Sequence, residues 1–231
     1  MFAFSLTIFW GAFLLFLVQP LIARFILPWF GGGPAVWTTC MLFFQLLLLG
    51  GYAYAHFSIS RLTPRRQVIT HLVLLALAVA LLPITPGDDW KPNDGSHAAG
   101  HILLLLLGCL GLPYLVLSAT GPLLQAWFSK ANPGVSPYRL YALSNVGSLL
   151  ALLIYPFYLE PQLSRQAQAD GWSWGLAIYA GLTAWCGLKV WKSAAADGTD
   201  AKQEEEAAPA SAGRKLLWFA LPACGVMLLL A

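Results

Sequence analysis

Residues 4–27 read FSLTIFWGAFLLFLVQPLIARFIL, from Phe4 to Leu27, with a single charge at Arg24. A helix needs roughly 20 apolar residues to cross the hydrocarbon core of a bilayer. This run meets that length and therefore decides the class of fold. No basic segment precedes it, and no small-residue cleavage site appears before Gln19 and Pro20. It reads as a retained first span rather than a removed signal peptide.

The same pattern repeats along the chain. Apolar runs cover about 35–57, 68–84, 102–128, 140–159 and 175–191, and a shorter one covers 216–231. Of the 231 residues, 58% are hydrophobic and 10% are charged. A soluble domain carries roughly 25% charged residues, so lipid is the expected solvent for most of this surface. Continuous runs of this kind predict helices, because open strands leave backbone groups unpaired in lipid and barrel strands alternate. The expected fold is all-α, a polytopic transmembrane bundle of six spans and the start of a seventh. Its expected parts are a six-span bundle over 1–192, a flexible cytoplasmic linker over 193–215, and an unfinished span over 216–231. The last run is too short to cross alone, which predicts a longer native chain.

Charges orient the bundle. The loops on one side hold Arg61, Arg65, Arg66, Lys130, Arg139, Lys189, Lys192, Lys202, Arg214 and Lys215; the other side holds Arg24, Lys91 and Arg165. Basic loops stay in the cytoplasm. The N-terminus is therefore expected inside, with the protein multi-pass in the membrane. Trp29, Trp37, Trp90, Trp127, Trp172, Trp174, Trp191 and Trp218 fall near span ends, as an interfacial belt requires. A net charge of +3 is too small to suggest nucleic acid. The expected partners are the lipid bilayer and either other membrane subunits or a C-terminal half.

None of the ten acidic residues falls inside a span. A proton-driven transporter usually carries its proton on a buried carboxylate, so this pattern argues against one that is self-contained. The intramembrane polar residues that remain are Gln19 and Arg24 in span one, Gln45 in span two, Gln125 in span four and Asn145 in span five. Ser118, Thr120, Ser144 and Ser148 lie beside them. Two readings stand: amides and small residues that glue helices together, or a substrate site where Pro20 and Pro122 break helices. A transporter of this kind would hold its cavity between spans one, four and five. Arg24 is expected to pair with Glu160, near the same membrane face.

His97 and His101 stand four apart beside three aspartates, but the neighbouring glycines weaken a helix there, and solvated loop histidines are the expectation. His56 and His71 read as interfacial. The four cysteines share no CxxC spacing, which leaves neither a zinc site nor a disulfide framework. Gly31-Gly32-Gly33 lacks the Lys-Ser or Lys-Thr of a phosphate loop and reads as a tight turn. No cofactor and no catalytic group are expected in this chain.

Three stretches resemble a known family: FLVQPLIARFILPWFGGGPAVWTTC over 16–40, LPYLVLSATGPLLQAW over 112–127, and YRLYALSNVGSLLALLIYPFYLEP over 138–161. They look like the N-terminal membrane region of bacterial proteins that fuse a major-facilitator-like domain to a spermidine-synthase-like domain. The resemblance implies one half of a major facilitator fold, followed in a longer chain by an S-adenosylmethionine-type α/β domain. That domain's Gly-rich cofactor loop and acidic polyamine-binding residues do not occur in these residues. Three functions follow as expectations: a membrane domain that binds or moves a small solute such as a polyamine, a non-catalytic assembly subunit, or the membrane part of an aminopropyl- or methyl-transferring enzyme that acts only through a further domain.

Overall fold

The structure is a computed structural model. It describes residues 1–87, 90–92, 98–132 and 134–196, together with Gly213, Leu217, Ala220 and Cys224, each of these four being helical. The chain divides into two units, Met1–Asp200 and Ala201–Ala231. The expected linker and seventh span fall almost wholly outside the described residues, as do Asp88, Asp89, Asp94 and His97.

The described part of the first unit is helical throughout its regular structure. Its helices are α1 (Phe2–Phe30), α2 (Pro34–Arg61), α3 (Pro64–Ala80), α4 (Ala98–Ser118), α5 (Thr120–Ala131) and α6 (Tyr138–Ile154). A π-helical turn (Tyr155–Leu159), the single turn α7 (Glu160–Gln162) and α8 (Arg165–Ala196) complete it. The boundaries follow from local chemistry. Gly31 takes φ 83 and donates its N–H to Leu27 O at 2.8 Å, closing α1 in a conformation that favours glycine. Pro34 and Pro64 open α2 and α3, where a missing N–H costs nothing.

Among the described residues, four helical segments are long and apolar enough to cross a membrane: Phe2–Phe30, Pro34–Arg61, Ala98–Ala131 and Tyr138–Gln162. Two of the six expected spans fall short of that description. The 17 residues of α3 reach about 25 Å, against a hydrocarbon core of about 30 Å. The 32 residues of α8 are long enough, but Gly, Ser and Trp dilute their apolar character. The fourth expected run also differs. Ala119 interrupts it between α4 and α5, next to Pro122, which has no N–H to give Ser118 O. Pro20, by contrast, lies inside an uninterrupted α1.

Cross-helix contacts fix the helix directions. Trp10 donates Nε1–H to Gly175 O and Trp172 donates Nε1–H to Leu14 O, each at 2.9 Å, so α1 and α8 run antiparallel. Tyr155 Oη donates to Pro20 O at 3.2 Å, while Gly147 lies against Phe9 O, so α6 runs parallel to α1. A Cβ on Gly147 would stand 2.6 Å from that carbonyl, which only glycine permits. Phe44 meets Tyr114, and Ser118 Oγ donates to Leu47 O at 3.3 Å, so α2 and α4 are parallel. Arg65 lies over the Trp191 ring and Val68 meets Gly187, making α3 and α8 antiparallel. The chain thus passes back and forth, with α1 against α4, α6 and α8.

These directions sort the charges. Arg61, Arg65, Arg66, Lys130, Arg139, Lys189 and Lys192 gather at the end of the bundle that holds Met1, and Arg24, Lys91 and Arg165 at the other. The tryptophans sort less simply. Trp127 and Trp172 are fully buried core residues rather than members of a belt, because each indole N–H finds an acceptor inside the bundle.

Candidate functional site

The intramembrane polar residues do not form one cluster. Gln19 on α1 and Gln45 on α2 share a cleft with Tyr114 of α4. The cleft has a volume of about 130 Å³ and is also lined by Leu15, Phe16, Met41, Phe44 and Leu48. Gln19 Nε2 donates to Tyr114 Oη at 3.2 Å. The Phe44 and Tyr114 rings tilt together with centroids 5.1 Å apart, and Phe44 walls the same space. Gln45 is exposed and makes no side-chain hydrogen bond among the described residues. An apolar cavity with a few convergent polar groups is the ordinary form of a small-molecule site. Here the groups are two amides and a phenol, able to donate and accept without carrying charge. The cleft lies between α1, α2 and α4, whereas the sequence pointed between spans one, four and five.

Gln125 and Asn145 stand apart from it. Gln125 is half-buried on α5, and Asn145 is exposed on α6; neither side chain has a hydrogen-bond partner among the described residues. Arg24 and Glu160 form a separate cluster at the end of the bundle away from Met1. Arg24 Nε lies 4.0 Å from Glu160 Oε1, and Arg24 NH1 donates to Glu160 O at 3.4 Å. Arg165 NH1 donates in turn to Arg24 O at 3.3 Å. The expected pair is therefore present, and it ties α1 to the segment between α6 and α8. Both side chains are partly exposed, so the pair contributes about 0–1 kcal/mol.

A second polar region lies near the basic end and was not legible in the sequence. His71 is fully buried rather than interfacial. Its ring stacks on Tyr54 with centroids 6.0 Å apart and meets Trp127 edge-on. Tyr54 Oη lies 3.4 Å from His71 Nδ1, and Trp127 Nε1 donates to Gln67 Oε1 at 3.0 Å. Further along the bundle, Thr120 Oγ1 and Tyr179 Oη share a hydrogen bond of 2.6 Å between α5 and α8. Thr7 and Cys186 Sγ approach to 3.4 Å. Spacing alone places His71 one turn and a half inside the basic loop; only the packing of α2, α5 and α8 around α3 encloses it.

Among the described residues no group of three or more His, Cys, Asp or Glu gathers to hold a metal ion. Comparison with protein-family models, curated proteins and solved structures finds no match to this chain.

Proposed function

We propose that this chain is a membrane domain whose cleft between α1, α2 and α4 binds a small solute. The observation that carries this reading is the Gln19–Tyr114 hydrogen bond facing Gln45 across a cleft whose other walls are apolar. Amides at membrane depth cost free energy unless they find hydrogen-bond partners, which a polar solute supplies. The Phe44 and Tyr114 rings supply π faces, so an amine with an apolar stem suits the walls. In line with the family resemblance of residues 16–40, 112–127 and 138–161, the solute class is polyamine-like. The domain then belongs to a fused major-facilitator-like and spermidine-synthase-like protein, with α3 and α8 completing six spans. The sorting of basic residues toward the Met1 end supports an N-terminus in the cytoplasm of a bacterial inner-membrane protein.

The test is uptake and binding of putrescine and spermidine by the purified chain in lipid vesicles. Binding above the level of protein-free vesicles, weakened by Gln19→Ala and by Gln45→Ala, is expected. Equal retention by loaded and empty vesicles across both amines overturns the reading.

Asn145 favours a second reading, an assembly subunit. Its exposed amide sits on a helix flanked by exposed Tyr141, Leu149 and Leu152. A partner helix would satisfy that amide where lipid cannot. Cross-linking from an Asn145→Cys variant in native membranes tests it: a discrete conjugate supports a partner, and the monomer alone removes this reading.

A further inference from the structure

Two prolines lie inside α1, Pro20 and Pro28. Proline has no N–H, so each deprives one backbone carbonyl of its helical donor: Phe16 O beneath Pro20, and Arg24 O beneath Pro28. A carbonyl left so in an apolar bundle gains by taking a donor from elsewhere. At Pro28 the donor is visible. Arg165 NH1 donates to Arg24 O at 3.3 Å, so a cationic N–H from another helix fills the vacated place.

At Pro20 the neighbouring donors are turned elsewhere. Arg24 is held by Glu160, and Tyr155 Oη donates to Pro20 O. Gln19 Nε2 donates to Tyr114 Oη, which leaves Gln19 Oε1 to accept. A carbonyl in an α-helix points along the axis at the N–H four residues on. Phe16 O therefore sits on the face of α1 bounded by Phe16, Gln19 and Pro20. All three residues are partly exposed, and Phe16 and Gln19 wall the cleft. The residues lining the cleft include no carboxylate, so a cation there has only neutral acceptors to meet.

We propose that Phe16 O and Gln19 Oε1 together hold a primary ammonium group in this cleft. The inference rests on the solute-binding reading and gives it a specificity: the ligand must carry N–H donors. A primary ammonium has three, enough for both acceptors at once. The Phe44 and Tyr114 faces attract any organic cation, a quaternary one included. The freed carbonyl selects among them, because it rewards only a cation that can donate. At Pro28 the chain provides that cation from its own Arg165; at Pro20 the solute provides it.

The test is NMR of the full chain in lipid nanodiscs, labelled with carbonyl-¹³C phenylalanine and ¹⁵N-leucine. Phe directly precedes Leu only at Phe13-Leu14 and Phe16-Leu17. Two carbonyls are therefore seen, and Phe13→Tyr identifies the second by removing the first. Putrescine should move the Phe16 carbonyl signal and leave that of Phe13, whose helical donor is intact, in place. Tetramethylammonium at the same concentration should move neither. Pro20→Ala restores the missing N–H with a better helix former, so the fold is kept. In that variant the Phe16 signal should no longer answer to putrescine, and putrescine binding to vesicles should weaken about tenfold. Putrescine binding that leaves the Phe16 carbonyl unmoved, or an equal shift with tetramethylammonium, overturns this assignment and leaves the solute-binding reading standing. No putrescine binding by the unsubstituted chain overturns both.

Discussion

The cleft at Gln19 and the enclosure at His71 are two polar regions of one apolar bundle, built on opposite terms. The cleft opens outward, and its Gln45 amide is exposed. The enclosure is sealed by Trp127 and Tyr54, and its groups must find partners inside. Removing a hydrogen bond from an open site lets solvent or headgroups take the vacated place. Removing one from a closed site leaves an atom stranded. The difference teaches that polar residues of similar type serve access in one region and cohesion in the other.

That contrast can be broken most severely at Trp127. Trp127→Ala empties a fully buried indole site and should cost about 3–5 kcal/mol of stability in detergent unfolding. A loss below that of an exposed control such as Trp174→Ala would show that the enclosure is not a cohesive element. Trp127→Phe keeps the ring packing but strands Gln67 Oε1, and should cost about 1–2 kcal/mol by the same measurement. Thr120→Val, which removes one hydroxyl partner of Tyr179 Oη, should cost about 0.6–2 kcal/mol. Tyr114→Phe in the cleft removes the acceptor of Gln19, yet should cost less than about 1 kcal/mol, because the amide turns to the open side. Thermal denaturation of the last two side by side sharpens the comparison; a larger cost for Tyr114→Phe reverses it. The smallest effect belongs to Arg24→Gln. Its partly exposed pair with Glu160 should contribute about 0–1 kcal/mol, read as a marginal shift in melting temperature.

The helical membrane character was legible because lipid imposes the same demand on each span: a long run without charge. The turn at Gly31 and the starts at Pro34 and Pro64 were legible because these residues act through their own backbone. The break at Ala119 was half legible. Pro122 signalled it and Pro20 signalled one equally, yet α1 continues through Pro20, packed by α4, α6 and α8. Burial of His71 was not legible, since it depends on which faces of α2, α5 and α8 close over α3. Trp127 and Trp172 look like interfacial residues in sequence, because the same amphipathic ring suits a headgroup layer and a core with a carbonyl in reach. Gln19 and Gln45 were legible as polar residues at depth. That they share a cleft, while Gln125 and Asn145 lie elsewhere, follows only from the parallel packing of α2 on α4.

The reciprocal indole bonds between α1 and α8 act as a vernier. Trp10 reads the position of Gly175 and Trp172 reads that of Leu14. The two bonds point in opposite directions across one antiparallel seam. A slide of one helical turn, about 5.4 Å, breaks both at once. The seam is therefore locked in translation, and any rearrangement that widens the cleft must be borne by the opposite flank, where α2 leans on α4 and leaves its outer side uncovered.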